Sequence, residues 1–333
     1  MEERKPKLDI IVPHYKEPWR IGSKLFDMLN LQRGIEPGDF RVILVQDGEE
    51  GALDHFYLSW EDYKIKTVKI PHGGVSAARN AGIEAAEAEW ICFCDFDDMH
   101  TSVFSLKVAL EAIRKADKDG IVYLWNRFSE EGRDPDTGEY IIFRHDWDMT
   151  FIHGRFYKRQ FLIDNQIRFN PELTFGEDQD FNTIAQIVAG EERVREIKEP
   201  IYLWCTNDES VTRSQKDKSV FYPKMLQHRF ATLEELRRRG IEDEYTAAVV
   251  RTAVDCYYEM NGPDVPENIR NSRGQFAAWW KDHRSDFAMA PRSLVSSIVE
   301  VVRRNAIEHR GTLIEEITLG QWLTGIDEEI DGN

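Results

Sequence analysis

The chain has 333 residues, 41% of them hydrophobic and 31% charged, which is enough apolar material for a large core in one domain or two. Its formal net charge of −17 offers no counterion-release drive for nucleic acid and none for docking on anionic lipid, so a nucleic-acid partner is not expected. Met1 to Lys7 is charged, only the short run Leu8 to Val12 follows, and no apolar stretch of about 18 residues occurs; a soluble cytoplasmic protein without a transmembrane segment is therefore expected.

Leu8 to Val12 is a compact β-branched run that ends at Pro13. A polar turn through His14, Tyr15, Lys16 and Glu17 leads to a helical pattern from about Ile21 to Leu31, so strand, loop and helix is the simplest reading. A second apolar run, Phe40 to Val45, closes in Gln46-Asp47-Gly48, where Asp47 is either a ligand contact or an Asp-Gly turn residue, the turn being favoured when it is taken alone. Lys66 to Ile70 gives a third strand. Gly73-Gly74-Val75-Ser76-Ala77-Ala78-Arg79-Asn80-Ala81-Gly82 then opens a helix of small residues reaching Ala88. Glycines permit the tight turn, and the free N–H groups of a helix start suit phosphate. Arg79 lies within reach of an anionic ligand, although a surface salt bridge is the ordinary fate of such a residue.

Trp90-Ile-Cys-Phe-Cys-Asp-Phe-Asp-Asp98 is the most informative stretch. An apolar, strand-forming run stops at three carboxylates, which puts Asp95, Asp97 and Asp98 at the carboxyl end of a buried strand, where open α/β sheets hold ligands. Residues two apart on an extended chain point the same way, so Asp95 and Asp97 can offer oxygens to one hard cation such as Mg2+ or Mn2+. The competing reading is a helix cap for a helix starting near Thr101 or Ser102. Repeated β-α units of this kind build a mostly parallel sheet.

Val103 to Ala116 has helical spacing, Gly120 to Trp125 is strand-like, and a turn at Asp134 to Gly138 precedes a strand at Tyr140 to Arg144. The stretch through Trp147 and His153-Gly154 carries no clear pattern, and His153 reads as structural because nothing near it in sequence completes a metal set. Glu177, Asp178 and Asp180 open a helix reaching Val188, where the dipole favours anions. Capping accounts for one of them more readily than for three. Val194 to Trp204 reads as one last strand pair around Pro200. From about residue 215 the pattern is helical, with breaks at Gly240, Gly262-Pro263, Pro266 and Pro291. Domains are expected at 1–214 and 215–333. By count, residues 1–214 hold 27 basic and 40 acidic side chains against 16 and 20 in the remainder, so the acidic excess lies with the suspected site. Cys92, Cys94, Cys205 and Cys256 lack paired spacing and read as reduced core residues.

Taken together, Ile10-Ile11-Val12-Pro13-His14-Tyr15, Val45-Gln46-Asp47-Gly48, Gly74 to Gly82, Cys94-Asp95-Phe96-Asp97-Asp98 and Gly176-Glu177-Asp178 resemble, in order, the motifs of the inverting family 2 glycosyltransferases of the GT-A fold. The resemblance covers about residues 8–213 and does not reach the helical remainder. It implies a Rossmann-like, mostly parallel sheet flanked by helices, and a transferase moving a sugar, hexosyltransferase-type, from a nucleotide-diphosphate sugar, UDP-linked by expectation, to a hydroxyl acceptor on a glycan or glycoconjugate. By the same resemblance Asp95-Phe96-Asp97 is similar to the DxD motif, Asp97 and Asp95 serving a divalent cation, Mn2+ or Mg2+. Pro13, Tyr15, Glu17, Asp47, Arg79, Asp95 and Phe96 would line the nucleotide pocket, Asp178 would be the general base and Glu177 would orient the acceptor.

Three positions depart from the family pattern. Gln46-Asp47 has one acid where two are common, His14 replaces Thr or Ser, and Asn207, in a closing segment running from Tyr202 through Asn207 to Arg213, stands where many members carry histidine. Two other classes compete: a haloacid-dehalogenase-type phosphatase built on the same acidic motifs, disfavoured by Met99 at the position of its Thr or Val, and a non-catalytic nucleotide-sugar-binding protein that uses its helices for assembly. Trp125, Trp147 and Trp204 are read as core ahead of sugar platforms. The helical region can bind acceptor, form a homo-oligomer or pair with another enzyme, and its sequence leaves these open.

Overall fold

A computed structural model describes residues 5–36, 38–48, 64–134, 136–144, 151–207, 217–262, 265–310 and 317–332. The readings at Trp147, Pro263 and Ser210 to Arg213 lie outside them. The chain divides into two compact units, residues 1–214 and 215–333.

The first unit is organised on strand β1 (Leu8–His14), whose first five residues are buried. It pairs in parallel with β2 (Phe40–Asp47) on one side and β4 (Trp90–Phe93) on the other, and β3 (Lys64–Ile70) extends the sheet beyond β2. Strands that are buried on both faces read as continuous apolar runs, which is why these were visible in the sequence. Helix α1 (Trp19–Asn30) and helix α3 (Ser105–Asp119) press Leu25, Phe26, Leu29, Leu106, Leu110 and Ile113 into one core with β1, β2 and β4. Helix α2 (Gly74–Ala85) lies so close to β1 that a Cβ on Gly82 would meet the Ile11 side chain at 2.3 Å. It stops at Ala85 rather than Ala88 because the buried Asp9 carboxylate accepts the Glu87 and Ala88 N–H groups at 2.7 and 2.8 Å, drawing them out of the helix.

Beyond β4 the sheet becomes mixed. Strand β9 (Phe156–Lys158) runs antiparallel to β4 and to β6 (Tyr123–Asn126), and β10 (Val194–Ile197) pairs in parallel with β6. The seven-strand order is β10-β6-β9-β4-β1-β2-β3. A second sheet has the order β5-β11-β7-β8, from β5 (Met99–His100), β7 (Ser129–Arg133), β8 (Tyr140–Arg144) and β11 (Tyr202–Trp204). The expected strand pair across Pro200 is therefore corrected: its two halves enter different sheets. Asn126 is the physical reason, since its side chain donates to the Ile197 and Glu199 carbonyls at 2.8 and 2.5 Å and accepts from Ile201 N–H at 3.0 Å. Those bonds satisfy the segment without a hairpin.

Helices α4 (Arg159–Asp164) and α5 (Glu177–Ala189) complete the first unit. Residues 215–333 hold α6 (Tyr222–Arg238), α7 (Glu242–Met260), α8 (Glu267–Asn271), α9 (Arg273–Met289), α10 (Arg292–Arg310) and α11 (Leu319–Asp331). Gly240 separates the first two in a left-handed conformation, φ 68°. Phe276, Trp280 and Trp322 stack in the core, and Glu259 accepts both guanidinium nitrogens of Arg229 and the Tyr222 hydroxyl. Among the described residues no helix is long and apolar enough to cross a membrane. The four cysteines are buried and free.

Candidate active site

Parallel strands deliver their carboxyl ends to one edge, and here a cleft of about 610 Å3 opens at the ends of β1, β2, β3 and β4. Its walls include Pro13, Tyr15, Glu17, Asp47, His72, Arg79, Asp95, Phe96, Asp97, Glu177 and Asn207. Every residue expected at the nucleotide pocket is thus brought together. Asp178 is adjacent to that wall, with its side chain 14% exposed.

The turn after β1 is held locally. Lys16 takes a left-handed conformation, φ 65°, while Glu17 accepts the Tyr15 N–H at 2.7 Å and its carbonyl oxygen meets His14 Nε2 at 2.8 Å. Burial pushes the Glu17 carboxyl up. After β2, Asp47 is 3% exposed and its carboxylate serves the start of α2: Oδ1 accepts from Gly73 N–H at 2.7 Å, and Oδ2 from Gly74 N–H and His72 Nδ1 at 2.9 Å each. The His72 ring stacks on Tyr15, centroids 4.1 Å apart at 11°.

The loop after β4 is anchored from below by Phe96. Its ring is 2% exposed, meets His14 edge-on at 4.7 Å, and fills the space that Gly22 leaves, where a Cβ would come within 2.2 Å. Asp98 is fully buried and does not cap a helix. It accepts the Tyr202 hydroxyl at 2.6 Å and the Cys205 N–H at 2.8 Å, while Tyr202 oxygen accepts the Asp95 N–H at 3.2 Å. Helix α3 begins only at Ser105, so the capping reading of Asp97 and Asp98 is corrected: the cluster is tied to β11 instead. Asp97 remains on the cleft wall and accepts the Asn207 side-chain N–H at 2.7 Å.

Arg79 is neither a surface residue nor in a surface salt bridge. Only 2% exposed, it donates Nη2 to Asp95 at 2.9 Å and Nη1 to Glu177 at 3.2 Å and to Asp178. The two acidic neighbours arrive at the start of α5, which Gly176 opens in a left-handed conformation, φ 78°. Asp178 also accepts the Ile152 N–H at 3.1 Å. Desolvation, with repulsion from Glu177 and Asp95, overcomes the attraction of Arg79 and raises the Asp178 carboxyl to about 7. Burial acts on Asp95 as well, but Arg79 and His153 outweigh it and hold that carboxyl low. Burial and the charge of Asp95 push Asp97 up. Burial and both neighbouring carboxylates lift Asp98 further.

His153 reads as structural from its sequence neighbours; the fold buries it, 3% exposed, and brings one ligand atom each of His153, Asp95 and Asp98 within 4.8 Å of one another. It also packs with Phe151, Tyr202 and Trp204, ring centroids 5.3, 4.7 and 5.5 Å away. No local pattern announces it, because its partners come from β11 and the β4 exit. His72 was legible in principle, lying just past the end of β3 as Asp47 ends β2.

A family model described as glycosyl transferase family 2 matches residues 9–176. The chain belongs to that family. Among curated relatives, the uncharacterized glycosyltransferase EpsJ of Bacillus subtilis (strain 168) is 29% identical over 62% of this chain and 63% of its own. The minor teichoic acid biosynthesis protein GgaA of the same organism is 27% identical over 80% of this chain and 63% of its own. The chain thus spans about 63% of the length of these two relatives. In fold it is similar to the crystal structure of TarS 1–349 of S. aureus, TM-score 0.61 at 18% identity, covering 98% of this chain and 92% of that one. The fold is accordingly of the GT-A type. Family membership sets aside the dehalogenase-type reading, whose first Asp must be a nucleophile; here Asp95 is engaged by Arg79.

Proposed function

We propose that this family 2 member transfers a sugar from a UDP-sugar to a hydroxyl acceptor with inversion, using Asp178 as general base. The observation that carries the reading is Arg79, whose single guanidinium joins Asp95, at the exit of the DxD-bearing strand, to Asp178. Asp178, raised to about 7, has the basicity a general base needs near neutral pH. It takes the proton of the acceptor hydroxyl as that oxygen attacks the anomeric carbon from the face opposite the departing diphosphate, so one displacement inverts the centre. Glu177, on the cleft wall beside it, orients the acceptor.

A UDP-linked donor is supported by TarS, named as a poly(ribitol-phosphate) beta-N-acetylglucosaminyltransferase, whose 1–349 structures have been solved with UDP and with UDP-GlcNAc. The carboxylates suit a divalent cation. Asp95 and Asp97 both face the cleft, and the rise that Asp95 imposes on Asp97 is a repulsion that a bound Mg2+ or Mn2+ relieves. Asp98, fully buried and occupied by Tyr202 and Cys205, supports the loop instead. When bound, the cation supplies charge neutralisation for the leaving diphosphate.

A panel of UDP-, GDP- and dTDP-sugars, assayed for binding and slow hydrolysis with Mn2+ or Mg2+ beside Asp97→Ala, tests the reading. Metal-dependent preference for a UDP-sugar that the variant loses is expected. Absence of binding to every donor, with and without metal, would exclude it.

A further inference from the structure

We propose that His72 reads the donor's nucleobase, its Nε2 accepting a hydrogen bond from the imide N–H of uracil; this rests on the nucleotide-sugar reading above. Asp47, the expected pocket carboxylate at the exit of β2, is 3% exposed and already receives three donors, from Gly73, Gly74 and His72. Three of its roughly four acceptor positions are thus taken within the protein, and one of those bonds fixes the imidazole next to it. A carboxylate accepts only, so the nitrogen facing it at 2.9 Å, Nδ1, carries a proton, and in the neutral imidazole Nε2 is left with its lone pair.

The stack on Tyr15 sets the plane of the ring, and both side chains line the cleft. His72 is 55% exposed, so its acceptor is available to a ligand without unfolding anything. Its place in the sheet also suits a base. The order β4-β1-β2-β3 puts the β3 exit, which carries His72, three strand spacings of about 4.8 Å from the β4 exit, which carries Asp95 and Asp97. A nucleoside at the first position leaves its diphosphate directed toward the second.

The chemistry selects among bases. Uracil presents N3–H, which a lone pair on Nε2 accepts. Cytosine presents an unprotonated N3, so lone pair would face lone pair. Because the contact is only partly desolvated, discrimination of about tenfold is expected rather than the far larger factors of fully buried sites. Asp47 acts in this scheme as a positioning residue, through the tautomer and orientation of His72.

Isothermal titration with UDP, CDP and the diphosphate of N3-methyluridine, in Mg2+, provides the test on the full chain and on His72→Phe, which keeps a ring to stack on Tyr15 and removes the acceptor. The unsubstituted protein is expected to bind UDP about tenfold more tightly than either analogue, and His72→Phe to bind all three alike. A His72→Phe protein that keeps the full preference for UDP overturns the assignment to His72 while leaving the UDP-sugar reading in place. Failure of the unsubstituted protein to bind any of the three overturns both.

Discussion

Arg79 on α2 donates Nη1 to Asp178 at the start of α5, a pair separated by 99 residues in the chain, with Arg79 buried and Asp178 14% exposed. The same guanidinium holds Asp95, so the two carboxylates on which donor binding and proton transfer would depend cannot move independently. A buried cation is costly to desolvate, and its three carboxylate partners offset that cost. One guanidinium thus ties the loop after β4 to the start of α5.

Asp178→Asn keeps the shape and removes the basicity. Under the proposed role kcat falls by about 10²- to 10⁴-fold, while UDP binding by calorimetry changes little. Equal losses in turnover and in donor affinity would point to a structural role for Asp178 instead.

The pH profile follows from the same carboxyl. Its value is raised to about 7 by burial and by Glu177 and Asp95, and a general base works only when ionised. Turnover should therefore climb as pH rises through about 7 and level off above it. Measured with saturating donor from pH 5.5 to 8.5, a rate that is flat across this range would remove Asp178 from the proton-transfer step.

The strand exits were readable because the information is local. Leu8 to Val12, Phe40 to Val45 and the Trp90 run are apolar stretches that end in Pro13, Asp47 and Asp95, and a buried parallel strand leaves that signature. What escaped the sequence depends on distant partners. Asp98 reads as either a cap or a ligand carboxylate until Tyr202, 104 residues on, donates to it. His153 has no metal-ligand neighbours until the fold supplies Asp95 and Asp98. The supposed hairpin around Pro200 is undone by Asn126, whose side chain replaces ladder bonds from 71 to 75 residues away. Composition and periodicity carry no trace of such contacts.

Gly22→Ala tests the support under the acidic loop. The added Cβ would sit 2.2 Å from the Phe96 ring, so either α1 or the Asp95 to Asp97 loop must shift. Overpacking of this kind costs about 1–3 kcal/mol, read as a lower midpoint in urea. Donor KM should rise as well, since Phe96 lies between the two aspartates. A stable variant with unchanged KM would show that the loop is positioned without Phe96.

Removing the guanidinium has a sharper consequence. Arg79→Gln leaves Asp95, Glu177 and Asp178 without their shared cation in a site where Arg79 itself is 2% exposed, and the loss should destabilise the protein by about 3–5 kcal/mol in urea unfolding. Most of that cost is repulsion and unpaired charge, not lost attraction alone. Neutralising one partner should therefore recover part of it: Arg79→Gln combined with Asp178→Asn is expected to be less destabilised than the sum of the single changes, with a coupling of about 1–3 kcal/mol. Strict additivity in the double-mutant cycle would mean that the two side chains do not interact in solution, and the proposed link between donor site and base would fall with it.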